Sequence, residues 1–166
     1  MTDRIYNVLF LCTGNSARSV MAEALLNVLG KGRFRAFSAG SHPSGHVQPL
    51  AAELAANLGY NTMQLRSKNW DEFAGPDAPA MDLIITVCDS AAGEACPFWP
   101  GQPATAHWGV PDPAAVEGNE DVRRRSYVAA FSVLRKRVEL LASLPLASLD
   151  RLAIQHEARE IGKAGA

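Results

Sequence analysis

A cysteine and an arginine, Cys12 and Arg18, bracket a short loop of small and polar residues with the sequence C-T-G-N-S-A-R. The loop follows the apolar run 8–11 and precedes a helix-like stretch over residues 19–29. Backbone amides in such a loop can turn inward as an anion-binding nest, and the next helix start adds roughly half a positive charge. The planar guanidinium of Arg18 can hold two oxygens at once. The spacing predicts a cradle for a tetrahedral oxyanion with a sulfur nucleophile at its base.

The loop residues suit that role. Gly14 and Asn15 tolerate the left-handed backbone conformations that such a turn demands. We expect the helix start and Arg18 to lower the pKa of the Cys12 thiol from about 8.5, and Ser19 to donate a hydrogen bond to the sulfur. The predicted oxyanion-binding set is Thr13, Gly14, Asn15, Ser16, Ala17, Arg18 and Ser19. A free cysteine can also be a small buried hydrophobe, but the strand before and the helix after favour the nucleophile.

Two further cysteines follow a second apolar run. Cys88 comes directly after residues 83–87, and Cys96 lies eight positions further on, across the small-residue loop D-S-A-A-G-E-A. We expect this loop to move, so that Cys88 reaches Cys12 in one arrangement and Cys96 in another, as in a thiol relay. Alternatively, Cys88 simply ends a buried strand, or the three thiols bind a metal. Structural zinc needs four ligands in paired spacings such as C-x2-C, so we expect no metal site and no cofactor.

The segment H-W-G-V-P-D-P at residues 107–113 carries a third candidate group. Asp112 lies between two prolines, which fix the local backbone and hold its carboxyl group in one direction. A carboxylic acid over the mouth of the cradle could protonate the oxygen that leaves as sulfur attacks. The alternative is a turn-forming Asp-Pro. His107 is expected to pack or to hydrogen-bond near a strand end rather than to act in catalysis.

Composition favours a single-domain enzyme that binds anions only locally. The chain has 166 residues, of which 48% are hydrophobic and 20% charged, enough to bury one core. Its net charge of −1 gives no general attraction to nucleic acid or to an anionic membrane. No apolar run approaches the ~20 residues that span a bilayer, and the first residues do not resemble a signal peptide. We therefore expect a cytoplasmic protein in which three cysteines serve chemistry rather than a disulfide framework.

Strands and helices alternate along the sequence. Strands are predicted at residues 5–11, 34–39, 83–87 and 104–108, and helices at 19–29, 49–58 and 120–141. Ser67 is expected to cap a short turn through Trp70 and Phe73. Beyond Pro145, a final helix through Leu149, Leu152 and Ile154 fades into a polar tail. The alternation indicates a parallel sheet with helices on both faces, whose ligands gather at the carboxyl ends of the strands.

Together the motifs resemble those of the arsenate reductases built on the low-molecular-weight protein tyrosine phosphatase fold. The resemblance extends from the first strand to about residue 141. It rests on C-T-G-N-S-A-R-S at 12–19, S-A-G at 38–40, T-V-C-D at 86–89, A-C-P at 95–97 and H-W-G-V-P-D-P at 107–113. It implies a four-stranded parallel sheet flanked by helices and the reduction of arsenate to arsenite by three cysteines. Residues 1–144 would form the catalytic domain, and residues 145–166 a helical extension and polar tail used for packing or dimerisation.

The resemblance also implies a role for each candidate residue. Cys12 would be the nucleophile, Arg18 and the 13–17 amides the oxyanion ligands, and Asp112 the acid. Cys88 would attack the sulfur of Cys12 and release arsenite, leaving a 12–88 disulfide. Cys96 would then form an 88–96 disulfide that a thioredoxin-type partner can reduce.

One departure from the family pattern concerns the reductant. In the best-known thioredoxin-linked members the two later cysteines are seven positions apart, whereas Cys88 and Cys96 are eight apart. Glutathione with glutaredoxin is therefore a second possible reductant. Two other functions stay open: a phosphomonoesterase that uses the cradle and Asp112 alone, and a non-enzymatic arsenite or metal binder. The sequence D-P-A-A disfavours the first because it lacks the aromatic residues that follow Asp-Pro in tyrosine phosphatases, and the second leaves Arg18 and Asp112 without a role.

Overall fold

The computed structural model describes residues 4–88 and 103–163. Four parallel strands form one sheet in the order β2-β1-β3-β4. They are β1 (Tyr6–Leu11), β2 (Phe34–Ala39), β3 (Leu83–Thr86) and β4 (Ala104–His107). Each lies within a residue or two of its predicted bounds, because short apolar runs flanked by glycine or polar residues mark buried strands well. The predicted four-stranded parallel sheet flanked by helices is confirmed.

In the described parts of the chain, four α-helices accompany the sheet: α1 (Arg18–Leu29), α2 (Pro49–Asn57), α3 (Glu120–Ala142) and α4 (Arg151–Lys163). The larger core lies on the face of the sheet that carries Val8 and Phe10, and residues from all four helices contribute to it. The opposite face, which carries Leu9 and Leu11, is covered by Trp70, Phe73 and Met81 in the part of the chain described. Both faces of β1 are therefore buried, as its continuous apolar sequence requires.

Strand pairing brings the candidate residues to one edge of the sheet. Leu11 pairs with Ala39 on one side and with Thr86 on the other, and Thr86 pairs with His107. Residues immediately after these positions therefore emerge side by side at the carboxyl ends of the strands. This is where ligands bind in open parallel sheets.

Side chains cover the backbone at both outer strands. On β2, the Asn27 side chain accepts from the Ala36 amide at 2.8 Å and donates to its carbonyl at 3.0 Å. On β4, the Thr105 amide donates to Gln155 Oε1 at 3.1 Å, and Arg159 Nε donates to the Thr105 carbonyl at 3.0 Å. Helices α1 and α4 thus satisfy backbone groups that an open edge would leave exposed to pairing with other chains.

Two local predictions were wrong. The last helix begins at Arg151, not before Leu149, because the Asp150 carboxylate accepts from the Ala153 amide at 2.8 Å and starts the helix there. It then continues to Lys163, through most of the predicted polar tail, because Ile154, Ala158 and Ile161 form a buried face.

The short turn through Trp70 and Phe73 is a 3-10 helix that is capped by Asn69 rather than Ser67. Asn69 accepts from the Asp71 amide at 2.8 Å. Ser67 instead donates to the Gly14 carbonyl at 3.1 Å. In residues 4–88 and 103–163, none of the helices combines the length and apolar character that a bilayer crossing requires.

Candidate active site

The loop between β1 and α1 lies at the base of an open cavity of about 650 Å³. The cavity is lined by Cys12, Thr13, Gly14, Ser16, Ala17, Arg18, Cys88, Gly109, Val110, Pro111 and Asp112. The structure thus brings together four of the five predicted catalytic residues, although they come from three separate segments of the chain. The fifth, Cys96, lies outside the described residues.

A left-handed turn at Asn15 shapes the loop. Asn15 has φ 46° and is the one non-glycine residue with positive φ in the described parts of the chain. It is fully buried; its Nδ2 donates to Ser19 Oγ at 2.9 Å, and its Oδ1 accepts from the Lys68 amide at 2.9 Å. The Asn15 side chain is therefore fixed at both of its ends, by Ser19 and by the Lys68 amide.

Three carbonyl groups of the loop are bonded to a neighbouring segment. Amides of residues 42–48 bind three loop carbonyls: His42 binds Thr13 at 2.9 Å, Ser44 binds Gly14 at 3.0 Å and Gln48 binds Ser16 at 2.9 Å. Because these carbonyls are bonded to residues 42–48, they do not compete for the anion site, although the Thr13 amide is already bonded to Cys88 Sγ at 3.3 Å. Helix α1 also begins without a side-chain cap, which leaves its first amides and its positive end for a bound anion.

Arg18, the first residue of α1, lines the cavity and contacts the segment that carries Asp112. Its Nη1 donates to the Val110 carbonyl at 3.0 Å, and its Nη2 is 3.5 Å from Asp112 Oδ2. Its Nε is buried and has no hydrogen-bond partner among residues 4–88 and 103–163. An unsatisfied buried donor is costly, and an oxyanion in the cradle would supply the missing acceptor.

The two described cysteines share the base of the cavity. Both are buried, and both line the same cavity. Cys88 Sγ also accepts from the Thr13 amide at 3.3 Å and is 3.7 Å from Thr13 Oγ1. Since Thr13 belongs to the oxyanion loop, the second thiol lies against the loop that carries the first.

The neighbouring Cys88 thiol makes Cys12 less acidic than expected. The hydrogen bond with Cys88 and then burial raise the pKa of the Cys12 thiol, while the Arg18 charge and the Gly14 amide act in the opposite sense. The predicted lowering of the pKa was therefore wrong for this arrangement. Ser19 was also expected to donate to the sulfur; its Oγ accepts from Asn15 Nδ2 at 2.9 Å, so its own hydroxyl proton is still available and this donation stays a prediction.

Asp112 lies at the mouth of the cavity and is about half-exposed. Its Oδ1 accepts from the Ala114 amide at 3.0 Å and caps a 3-10 turn at Pro113–Ala115, while its Oδ2 faces Arg18. The turn-forming and acid interpretations are thus compatible, since each uses a different oxygen. His107 is 2.7 Å from Thr86 Oγ1 through its Nδ1, at the strand end where it was expected to bond.

A buried polar cluster behind the loop was missed by the sequence analysis. Glu23 accepts from Ser38 at 2.6 Å and from Tyr60 at 2.8 Å, and its carboxylate lies 3.9 Å from Lys68 Nζ. The side chains of Glu23 and Lys68 are each only 7% exposed. Burial raises the pKa of Glu23 and lowers that of Lys68. The S-A-G motif at 38–40 was the only signal for this cluster, because its other members are far apart in sequence.

Gly40 in that motif contacts the loop backbone directly. A Cβ atom there would lie 2.4 Å from the Thr13 carbonyl oxygen and 2.5 Å from that of Cys12. Both neighbours are backbone atoms, so only glycine allows this approach. No group of three or more histidine, cysteine, aspartate or glutamate side chains in residues 4–88 and 103–163 is arranged to hold a metal ion.

The fold and the cavity define a cysteine-based oxyanion-binding α/β protein. Residues 7–153 match the family described as low molecular weight phosphotyrosine protein phosphatase. An arsenate reductase of Halalkalibacterium halodurans is 32% identical over 135 residues, which cover 81% of this chain and 94% of that protein. The chain belongs to the low molecular weight phosphotyrosine protein phosphatase family, and its resemblance to arsenate reductases is confirmed.

Solved structures agree with this assignment. The crystal structure of an arsenate reductase from Archaeoglobus fulgidus superimposes with a TM-score of 0.64 at 31% identity, covering 82% of this chain and 99% of that one. A second structure, described as an arsenate reductase in the phosphate binding state, gives 0.65 at 28% identity and covers 83% and 97% of the two chains.

We predict that Gly40→Ala weakens oxyanion binding, because the new methyl group must displace the loop backbone at Thr13 and Cys12. Phosphate affinity, measured by titration calorimetry, should fall roughly tenfold, or about 1.4 kcal/mol. Gly75→Ala is the matched control, since nothing lies within 4 Å of a Cβ at that position. Equal phosphate affinity in Gly40→Ala and in the unmodified protein would contradict this view of the loop.

We further predict that Cys88→Ala lowers the pKa of Cys12, because it removes the largest influence that raises it. The pH profile for alkylation of Cys12 by iodoacetamide, followed by mass spectrometry of the Cys12 peptide, should shift to lower pH. Cys88→Ser keeps a hydrogen-bonding group beside Cys12 and should shift the profile less. A profile that stays in place in Cys88→Ala would mean that Cys88 does not control the thiol.

Proposed function

We propose that this protein reduces arsenate to arsenite by a three-cysteine relay and serves in arsenic detoxification. One observation carries the proposal: a second buried thiol, Cys88, lines the same cavity as Cys12 and accepts from the amide of Thr13, the next residue in the loop, at 3.3 Å. A single displacement on an oxyanion needs one sulfur, whereas a reduction needs a second that can attack the first. The relatives that carry the name arsenate reductase support the same conclusion.

In the first step, the loop amides and Arg18 bind arsenate, and the sulfur of Cys12 attacks arsenic. A sulfur–arsenic bond forms and an arsenic–oxygen bond breaks. The Cys12 proton passes to an arsenate oxygen, Asp112 donates its proton to the departing oxygen, and the proton that Cys12 gave up then returns to Asp112. The net change is loss of one water molecule from the thiol and monohydrogen arsenate.

In the second step, the Cys88 sulfur attacks the sulfur of Cys12. The bond between Cys12 and arsenic breaks, and its electron pair stays on arsenic, which is reduced from the +5 to the +3 state. The Cys88 proton is transferred to an arsenite oxygen. The two cysteines are oxidised to a 12–88 disulfide.

In the third step, Cys96 attacks Cys88, which forms an 88–96 disulfide and returns Cys12 as a thiol. An external dithiol then reduces this disulfide and is itself oxidised. We propose a thioredoxin-type protein as this reductant, with glutathione and glutaredoxin as the alternative, and a cytoplasmic location, where such thiols are kept reduced.

Phosphomonoester hydrolysis is the second candidate function, since the cradle and Asp112 suffice for it and the family includes tyrosine phosphatases. Two features count against it as the main activity. Ala114 and Ala115 follow Asp112-Pro113 in place of aromatic residues. The neighbouring Cys88 thiol also raises the pKa of Cys12, which disfavours the thiolate that a phosphatase nucleophile uses.

We predict that the unmodified protein forms arsenite from arsenate in the presence of a dithiol reductant, and that Cys12→Ser abolishes this reaction. Arg18→Lys keeps the charge but loses the planar fork and should lower kcat/KM by roughly 10²-fold or more. Arsenite formation is measured beside 4-nitrophenyl phosphate hydrolysis under several reductants. Rapid ester hydrolysis without arsenite formation would overturn the proposal in favour of the phosphatase.

The relay itself predicts different failures for the two later cysteines. Cys88→Ser should release no arsenite through a disulfide, because no sulfur can attack Cys12. Cys96→Ser should complete one turnover and stall as a 12–88 disulfide, because the oxidation cannot move on. Peptide mass spectrometry after a single turnover identifies the bond. Undiminished steady-state turnover of Cys96→Ser, with no 12–88 linkage, would instead indicate rescue of Cys12 by an external thiol.

A further inference from the structure

The segment 107–113, here called the acid loop, carries Asp112. Beyond β4, two backbone hydrogen bonds attach it to the sheet. The Trp108 amide donates to the Thr86 carbonyl at 2.7 Å, and the Val110 amide donates to the Val87 carbonyl at 3.1 Å. After Val110 the loop leaves the sheet. The position of Asp112 must therefore also depend on contacts with residues outside the sheet.

A buried guanidinium contacts this loop from behind. Arg137, on α3, is only 1% exposed, and its Nη1 donates to the Gly109 carbonyl at 3.1 Å. Arg18 binds the next carbonyl, that of Val110, from the cavity side. Two consecutive carbonyls are thus held by two guanidinium groups. Arg18 lines the cavity, whereas Arg137 does not, so Arg137 acts on the loop and not on an oxyanion.

Helix α4 holds the start of the same loop. The buried indole of Trp108 donates to the Ala158 carbonyl at 2.8 Å. At Gly162, a Cβ atom would lie 2.2 Å from the His107 carbonyl oxygen and 2.8 Å from Trp108 Cδ1. The family match ends at residue 153, so both contacts come from a part of the chain that lies beyond the shared family region.

We propose that Arg137 and α4 are positioning elements for Asp112, which together brace the acid loop so that its carboxyl group stays at the mouth of the cavity. This inference rests on the acid role given to Asp112 in the proposed function. It assigns the C-terminal helix a part in the reaction that packing alone would not give it.

The geometry at Asp112 makes such a brace necessary. Its Oδ1 is bound by the Ala114 amide, and its Oδ2 is 3.5 Å from Arg18, so one oxygen alone is available to deliver a proton. Proton transfer requires heavy atoms within about 3.2 Å, and a misplacement of about 1 Å can lower a rate by about 10²-fold. A loop free to shift would lose the acid without losing the oxyanion cradle.

The test is a double-variant cycle on single-turnover arsenite formation at saturating arsenate. Arg137→Met should slow this step by about tenfold or more, while Lys136→Met, which removes an exposed cation next to it on α3, should not. In the Asp112→Asn background, Arg137→Met should cause no further loss, because the group that it positions is already inactive. Losses that multiply in the double variant would mean that Arg137 is merely structural and would overturn the proposal.

Gly162→Ala tests the contact between α4 and the acid loop, and it remains informative if Arg137→Met does not fold. Alanine favours the helix more than glycine does, so any loss comes from the contact with His107 and Trp108. The expected result is again slower turnover that vanishes in the Asp112→Asn background, with His156→Ala, at an exposed site on α4, as the unaffected control. Normal rates in both Arg137→Met and Gly162→Ala would overturn the brace.

The two proposals can fail separately. If the unmodified protein makes no arsenite, the same cycle is measured with 4-nitrophenyl phosphate, whose hydrolysis also draws on Asp112. The positioning role of Arg137 and α4 is then tested on that reaction, and the arsenate reductase proposal is rejected. If neither reaction depends on Asp112, the acid role and the brace are both wrong.

Discussion

The left-handed turn at Asn15 is the constraint on which the site depends, because this bend lets the loop direct its amides into one cavity. A left-handed conformation costs roughly 1–2 kcal/mol for most residues and less for asparagine, whose side chain can bond locally. Here that side chain is held on one side by Ser19 and on the other by the Lys68 amide. Gly40 lets β2 approach close enough to support the loop from below.

That support extends to the buried pair Glu23 and Lys68. Burial opposes both charges, and the bonds from Ser38 and Tyr60 to Glu23 offset part of the cost. Removing either charge would leave the other buried without its counter-ion. Lys68 is therefore fixed at its side chain by the charge pair and at its amide by Asn15, which ties the cluster to the loop.

Features that depend on neighbouring residues in the sequence could be predicted. Strand ends and the Cys12 loop follow from apolar runs, glycine and the spacing to Arg18, and each forms where it was expected. The raised pKa of Cys12 does not follow from its own loop, because it depends on Cys88, which the pairing of β1 with β3 brings to the same edge of the sheet. Arg137 gave no signal, because a charged residue on a long helix is usually exposed.

The acidity of Cys12 bears on the choice between the two candidate reactions. A neighbouring thiol opposes formation of the Cys12 thiolate, which is a handicap for an enzyme that needs only one displacement. For a reductase the same neighbour is necessary, because its sulfur must reach the first sulfur once arsenic is bound. A dianionic oxyanion also brings its own proton acceptor into the cradle, so the thiol can lose its proton when the substrate arrives. The site thus favours proximity of two thiols over a permanently ionised nucleophile, as the transfer of two electrons requires.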